Sequence, residues 1–398
     1  MSSRPLALVL ADLLMRPAFG SRRAPDRVFD RLLDEVSVAG EAREDRQFAD
    51  DFRSLLGWWA TAENLTPVGW QAAQAHVRRH LGNRARIRRL IAEHPGIERE
   101  PIEKPVFVVG LPRTATTVTH GVLSISDEHR CPLLWELLGP DLELPPRQRR
   151  KAITAGRRMV QGTNLFAPRF RDIHPMVAEG PEECTFALPH ALMPLSQARI
   201  PEYQAWHCRR DFVPDYEHLK RVFQVLQYGR PRRRWMLKSP MHLENLDALR
   251  TVFPDATIVW CHRDPVTVMA SFCSLIEHGM AISVRPLDLH GIGANWLELL
   301  SRAMTRGLAA RAAIPPEQLV DVPYSWLGSD PATGAPKLFA AVGASWTGAD
   351  AARLPMAVAR PKGTRPHRYD LARYGLTRAD VESAFADYNA LRAEVDRA

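Results

Sequence analysis

The chain has 398 residues, 45% apolar and 25% charged, with 53 Lys and Arg against 45 Asp and Glu for a formal charge of +8. That composition describes a soluble globular protein, and the length accommodates one large α/β domain with an appendage or two ordinary domains. The positive field favours anionic partners without choosing among nucleotide, acidic acceptor, nucleic acid and membrane surface. Cys131, Cys184, Cys208, Cys261 and Cys273 are widely spaced with no C-x-x-C pair, so no disulfide framework and no zinc site is expected; reduced thiols in a cytoplasm fit.

From Leu6 to about Glu98 the apolar residues recur at helical spacing, as in Val28, Leu32 and Leu33, and in Phe52, Leu55, Leu56 and Trp59. Leu6-Ala-Leu-Val-Leu10 is interrupted by Asp12 and lacks a cleavage site, which predicts an amphipathic helix in place of a leader peptide. No apolar run approaches the ~20 residues that span a bilayer. After His94-Pro-Gly96 the pattern changes. Pro105–Val109 predicts a strand buried on both faces, and a helix follows from about Thr116. The region Leu138–Gln227 is rich in Pro, Arg and His with mixed helical pattern, and is where an acceptor pocket is expected. Arg234–Lys238 and Thr257–His262 repeat the strand-then-helix unit, with Leu243, Leu246 and Leu249 on one helical stripe and Asp264-Pro265 as a helix start. Gln318–Tyr324 is a further strand candidate. This alternation predicts an α/β fold with a parallel sheet flanked by helices and ligands at the carboxyl ends of its strands. The basic clusters Arg147–Lys151 and Arg230–Arg234 read as solvated faces, and no stretch reads as a nucleic-acid module.

The run Val106-Phe-Val-Val-Gly-Leu-Pro-Arg-Thr-Ala-Thr-Thr-Val118 joins strand, tight loop and helix entrance, the arrangement that cradles a phosphate. With Gly110 as first glycine of the triphosphate loop, Ala115 and Thr116 stand where that loop needs Gly and Lys. Without the lysine, Arg113, the threonine hydroxyls and the free N–H groups of a helix start are left to hold an anion.

This run, together with Trp235-Met-Leu-Lys-Ser-Pro240, Ile258-Val-Trp-Cys-His-Arg-Asp-Pro265 with Ser271, and Arg360-Pro-Lys-Gly363, resembles the sulfotransferases that use 3′-phosphoadenosine 5′-phosphosulfate (PAPS), in particular the bacterial branch related to tyrosylprotein sulfotransferases. The resemblance covers roughly Pro105–Tyr374. It implies a P-loop-like core over 101–398 with a helical extension over 1–100, PAPS as donor, and an acceptor hydroxyl, less readily an amine, on a small molecule or lipid. By the same resemblance Pro112, Arg113, Thr114, Ala115, Thr116 and Thr117 surround the 5′-phosphosulfate, Arg263 and Ser271 bind the 3′-phosphate, and Arg360, Lys362 and Gly363 close over it. Arg113 and Lys238 assist the leaving group. Ser239 replaces the family's Asp after that lysine, and Ala115 replaces a more usual glycine, a cost of ~1 kcal/mol where the backbone needs positive φ.

The base that takes the acceptor proton is expected at Glu136, where the related branch keeps a glutamate; beside Trp135 its basicity could be raised by an apolar setting. The rival is Glu182-Glu183, which borders the acceptor, although first-turn acids after a proline have an adequate structural account. His120, one turn beyond Thr116, ranks below Glu136, and His174 and His190 are unranked. No metal is expected, since positioning and cationic donors suffice for sulfuryl transfer. A nucleotide kinase or hydrolase on the same core, and a non-catalytic nucleotide- or lipid-binding protein, are the competing readings.

Overall fold

The computed structural model describes residues 5–36, 43–359 and 370–397. Helices occupy the first hundred residues, as the spacing predicts: α1 Leu6–Phe19, α2 Pro25–Val36, α3 Arg43–Thr61 and α4 Pro67–Glu93. Thr66 starts α4 by accepting from the main-chain N–H of Gly69 at 3.1 Å, with Pro67 at the first helical position. Phe52, Leu55, Leu56 and Trp59 of α3 are buried with Trp70 and Val77 of α4, in a cluster that runs without a break to Phe107, Leu237 and Trp260 of the sheet.

The sheet has five parallel strands, β1 Val106–Val109, β2 His129–Arg130, β3 Arg234–Lys238, β4 Thr257–His262 and β5 Leu319–Pro323, in the order β2-β3-β1-β4-β5. Every residue of β1 and β4 is buried, which explains why these strands are continuous apolar runs without alternation. Phe107 pairs with Leu237 on one side and Ile258 on the other, so the carboxyl ends of β3, β1 and β4 lie side by side. The loop after β1 enters α5 Thr116–Leu123. Beyond β2 come α6 Leu134–Leu138 and α7 Pro146–Phe166, followed by shorter helices and then Val213–Gln227, which leads into β3. The predicted helix after β3 is a 3-10 turn, Pro240–Asn245, continued as α-helix Leu246–Val252; Leu243, Leu246 and Leu249 are all buried.

Candidate active site

The loop after β1 is held in an unusual backbone. Gly110 has φ +133°, and a Cβ there would stand 2.5 Å from the Cys261 carbonyl oxygen, so only glycine lets the end of β1 pass β4 this closely. Arg113 and Ala115 both adopt left-handed backbone with φ +70°, and Ala115 occupies the N-cap of α5 without a side chain that can cap. Alternating handedness of this kind turns successive N–H groups toward one point, a nest for an anion at the positive end of a helix. The alanine penalty anticipated from the sequence is therefore present.

Around the nest the structure assembles three of the expected donor residues. Arg113 donates from Nε to Ser271 Oγ at 3.1 Å and from its guanidinium to the Ile173 carbonyl at 2.8 Å. Arg263 donates to the Arg113 carbonyl at 2.8 Å, and its guanidinium lies 4.2 Å over the Tyr324 ring. Asp264 caps the helix Pro265–Met280 through Thr267 N at 2.9 Å, which fixes Ser271 two turns further on. Not every threonine is available: Thr114 donates its hydroxyl to the Leu111 carbonyl at 2.7 Å and stabilises the loop itself. Pro112 and Thr116 sit within the loop and the first turn of α5, while Thr117 is exposed toward the β3 end. Arg360, Lys362 and Gly363 lie outside the described residues.

Lys238 ends β3, is buried, and points Nζ at Glu183 Oε1 at 2.5 Å, with Thr117 Oγ1 at 3.4 Å. Burial alone would raise the Glu183 carboxyl, but the Lys238 ammonium overrides it and holds the group below its ordinary range. Glu182, beside it, is pushed up to about 7 by burial, against the pull of Lys238. His174 completes the group, its ligand atom within 4.8 Å of those of both glutamates, and burial lowers its imidazole to about 4, so it is neutral near pH 7. Such a trio has the donor types of a metal site. The Lys238 ammonium already supplies a cation to it. Glu183 precedes only the three-residue 3-10 turn Cys184–Phe186, too short for the first-turn account of these acids.

Glu136 and His120 hold other partners. Glu136 Oε2 accepts from the main-chain N–H of Leu133 at 3.0 Å, closing the start of α6, while Oε1 receives Arg130 at 3.4 Å and Arg230 at 3.3 Å. Arg130 pairs in register with Trp235 at the start of β3, three residues (~10 Å) from Lys238. This carboxylate is engaged by three donors. His120 is buried, hydrogen-bonds the Met236 carbonyl at 2.9 Å through Nε2, and is lowered to about 4 by burial and then by Lys238. That bond ties α5 to β3. His190 is farther off, bonded to Asp215 at 2.6 Å. The sequence reading also missed Tyr324 and Tyr388, which brace Arg263; Tyr388 accepts the Arg263 main-chain N–H at 3.2 Å. Tyr324 was signalled only by its place at the end of a strand candidate.

A nucleotide-type loop without its lysine, joined to a strand-end arginine, a buried lysine and paired carboxylates, defines a class of group-transfer site on an α/β sheet. A model of the sulfotransferase family matches residues 105–348, and the chain belongs to that family. It is 29% identical over 188 residues to the omega-hydroxy-beta-dihydromenaquinone-9 sulfotransferase Stf3 of Mycobacterium bovis and to that of Mycobacterium tuberculosis, a stretch covering 42% of this chain and 44% of theirs. The chain thus spans less than half the length of these curated relatives. In three dimensions it is similar to sulfotransferase STF9 of Mycobacterium avium, with TM-score 0.80 and 26% identity over 91% of this chain and 95% of that one. It is also similar to STF1 of Mycobacterium tuberculosis H37Rv, with TM-score 0.76 and 28% identity over 91% and 98%.

Proposed function

We propose that the chain transfers a sulfuryl group from PAPS to a hydroxyl, by in-line displacement that leaves adenosine 3′,5′-bisphosphate. The observation that carries this reading is the direct linkage of Arg113, Ser271 and Arg263: the residues suited to a 3′-phosphate touch the loop that suits a 5′-phosphosulfate, spacing two anionic groups of one nucleotide. An ordinary triphosphate has no use for the second position.

Arg113 and Lys238 bring fixed positive charge to the bridging oxygen as the S–O bond breaks, where charge develops in the transition state. When Lys238 turns to the donor, Glu183 loses its partner and accepts the acceptor proton as the new O–S bond forms. Glu182 then shares the site, and two carboxylates so close push their proton affinities apart, favouring one protonated and one basic group. This assigns the base to the Glu182-Glu183 pair in preference to Glu136. Glu183 is the member that reaches the lysine.

The acceptor we favour is an apolar molecule carrying a hydroxyl. The printed activity of the curated relatives, on a hydroxylated dihydromenaquinone, supports it. The five free cysteines support a reducing, cytoplasmic setting. Calorimetric titration with adenosine 3′,5′-bisphosphate against ATP, and transfer of 35S from labelled PAPS to hydroxylated quinones in the presence of EDTA, test the reading. Tighter binding of the bisphosphate and transfer without metal are expected. Preference for ATP with a requirement for Mg2+ would replace it with the kinase reading.

A further inference from the structure

Helix α1 buries one side and leaves the other bare. Leu8 is 1% exposed, and Asp12 on the same side accepts from the main-chain N–H of Val68 at 3.0 Å, fastening α1 to the start of α4. The outer side is unlike a solvated helix surface. Leu6, Leu10, Leu13 and Leu14 are 72%, 50%, 57% and 81% exposed. At about 100° per residue these four, with exposed Pro17, fall inside an arc of about 100° centred opposite Leu8. Single exposed leucines are ordinary, but a contiguous ridge of four is a surface that expects a partner.

The surroundings say what kind. α1 packs against α7 as well as α4. Over its 21 residues α7 carries Arg147, Arg149, Arg150, Lys151, Arg157 and Arg158 and no acid, and Arg147, Arg149, Arg150 and Lys151 are all exposed. The end of α1 adds Arg16, with Arg22 and Arg23 just beyond, against Asp12 alone, which faces inward. Leu165, near the end of α7, is 56% exposed. An apolar ridge beside a cationic helix complements the interface of an anionic bilayer, where leucines enter the acyl boundary and the arginines meet headgroup phosphates. No described helix is long and apolar enough to cross a membrane.

We propose that α1 and α7 form a membrane-docking face that seats the protein on anionic phospholipid, with the α1 leucines in the acyl boundary. The proposal goes beyond the transfer reaction and does not depend on the acceptor assigned above.

Flotation of the full chain with vesicles of phosphatidylcholine alone and with about 30% phosphatidylglycerol tests it. Binding is expected on the anionic vesicles and is expected to weaken as salt rises from roughly 0.05 to 0.5 M, as the headgroup attraction is screened. Each leucine leaving water is worth about tenfold, so Leu10→Glu with Leu13→Glu is expected to reduce binding by about 100-fold. Arg149→Glu with Arg150→Glu should remove the preference for the anionic lipid. Both variants are expected to keep the wild-type melting temperature and affinity for adenosine 3′,5′-bisphosphate, since their side chains are exposed. Equal flotation of wild type and the leucine variant would overturn the proposal. A wild-type dimer in solution that becomes a monomer in the leucine variant, without vesicle binding, would assign the ridge to a second copy of the chain and overturn it as well.

Discussion

Arg263 donates to the main-chain carbonyl of Arg113 across 2.8 Å, so the end of β4 is tied to the anion loop after β1 by the side chain proposed to read the 3′-phosphate. The tie makes Arg263 a brace as well as the proposed ligand contact. Arg263→Ala is therefore predicted to lose about 1.5–3 kcal/mol of affinity for adenosine 3′,5′-bisphosphate, roughly 10- to 150-fold, and much less for adenosine 5′-phosphate. Calorimetry with the two nucleotides checks it. Equal losses would show that the arginine acts through the loop alone.

Glu183 and Glu136 are predicted to separate chemistry from stability. Glu183→Gln keeps shape but removes the carboxylate, and turnover is predicted to fall about 100- to 10,000-fold while bisphosphate affinity holds within a few fold. Glu136→Gln is predicted to leave turnover near normal and to lower the melting temperature, because Arg130 and Arg230, both mostly buried, lose their shared counter-charge. The opposite pattern, with turnover lost at 136 and kept at 183, would return the base to Glu136.

The pH profile follows from the pair. Lys238 holds Glu183 low in the free protein and leaves it only in the donor complex, so kcat, more than kcat/KM, is predicted to rise with pH, its limb set by the Glu182-Glu183 couple with Glu182 raised to about 7. Glu182→Gln removes the like charge and should move the rising limb to lower pH. A flat profile from roughly pH 5.5 to 8.5 would show that the pair does not titrate during turnover.

Acid stability has a different source. Burial would raise the Asp215 carboxyl, but His190 at 2.6 Å and Arg210 at 2.8 Å hold it down to about 2 against an ordinary 3.8. A folded-state value below the unfolded one contributes stability that is complete above the unfolded value and is lost as pH falls toward 2, on the order of 2 kcal/mol. Asp215→Asn is predicted to be less stable at pH 7 and to show a shallower fall in melting temperature between roughly pH 5 and 2.

The strands were legible because burial on both faces forces unbroken β-branched and aromatic runs; β1, β3 and β4 fall within a residue of their expected ends. The loop was legible for the same reason, its glycine and its helix start being local. The partners of Glu136 were not, since Arg230 lies 94 positions away and no local pattern announces that meeting. Glu183 is the converse case: its partner Lys238 is 55 residues off, and a preceding proline offered a sufficient local explanation. The Arg360, Lys362 and Gly363 assignments fall outside the described residues and stay with the resemblance.

The family match begins at residue 105, but the molecule offers no seam there. Gln224 donates from Nε2 to the carbonyls of Glu98 and Glu100 at 2.9 and 3.0 Å, and Gln227 bridges the Pro101 carbonyl to the indole of Trp235 on β3. Phe52, Trp59 and Trp70 press into the same apolar mass as the strands. A truncated gene starting at residue 101 is accordingly predicted to yield insoluble or loosely folded product, read by expression level and near-ultraviolet circular dichroism, and a well-folded monomer would refute this. For protein engineering, the smallest portable unit would then be the whole length, with graftable acceptor specificity sought in replaced segments between α6 and β3 instead of in swapped modules.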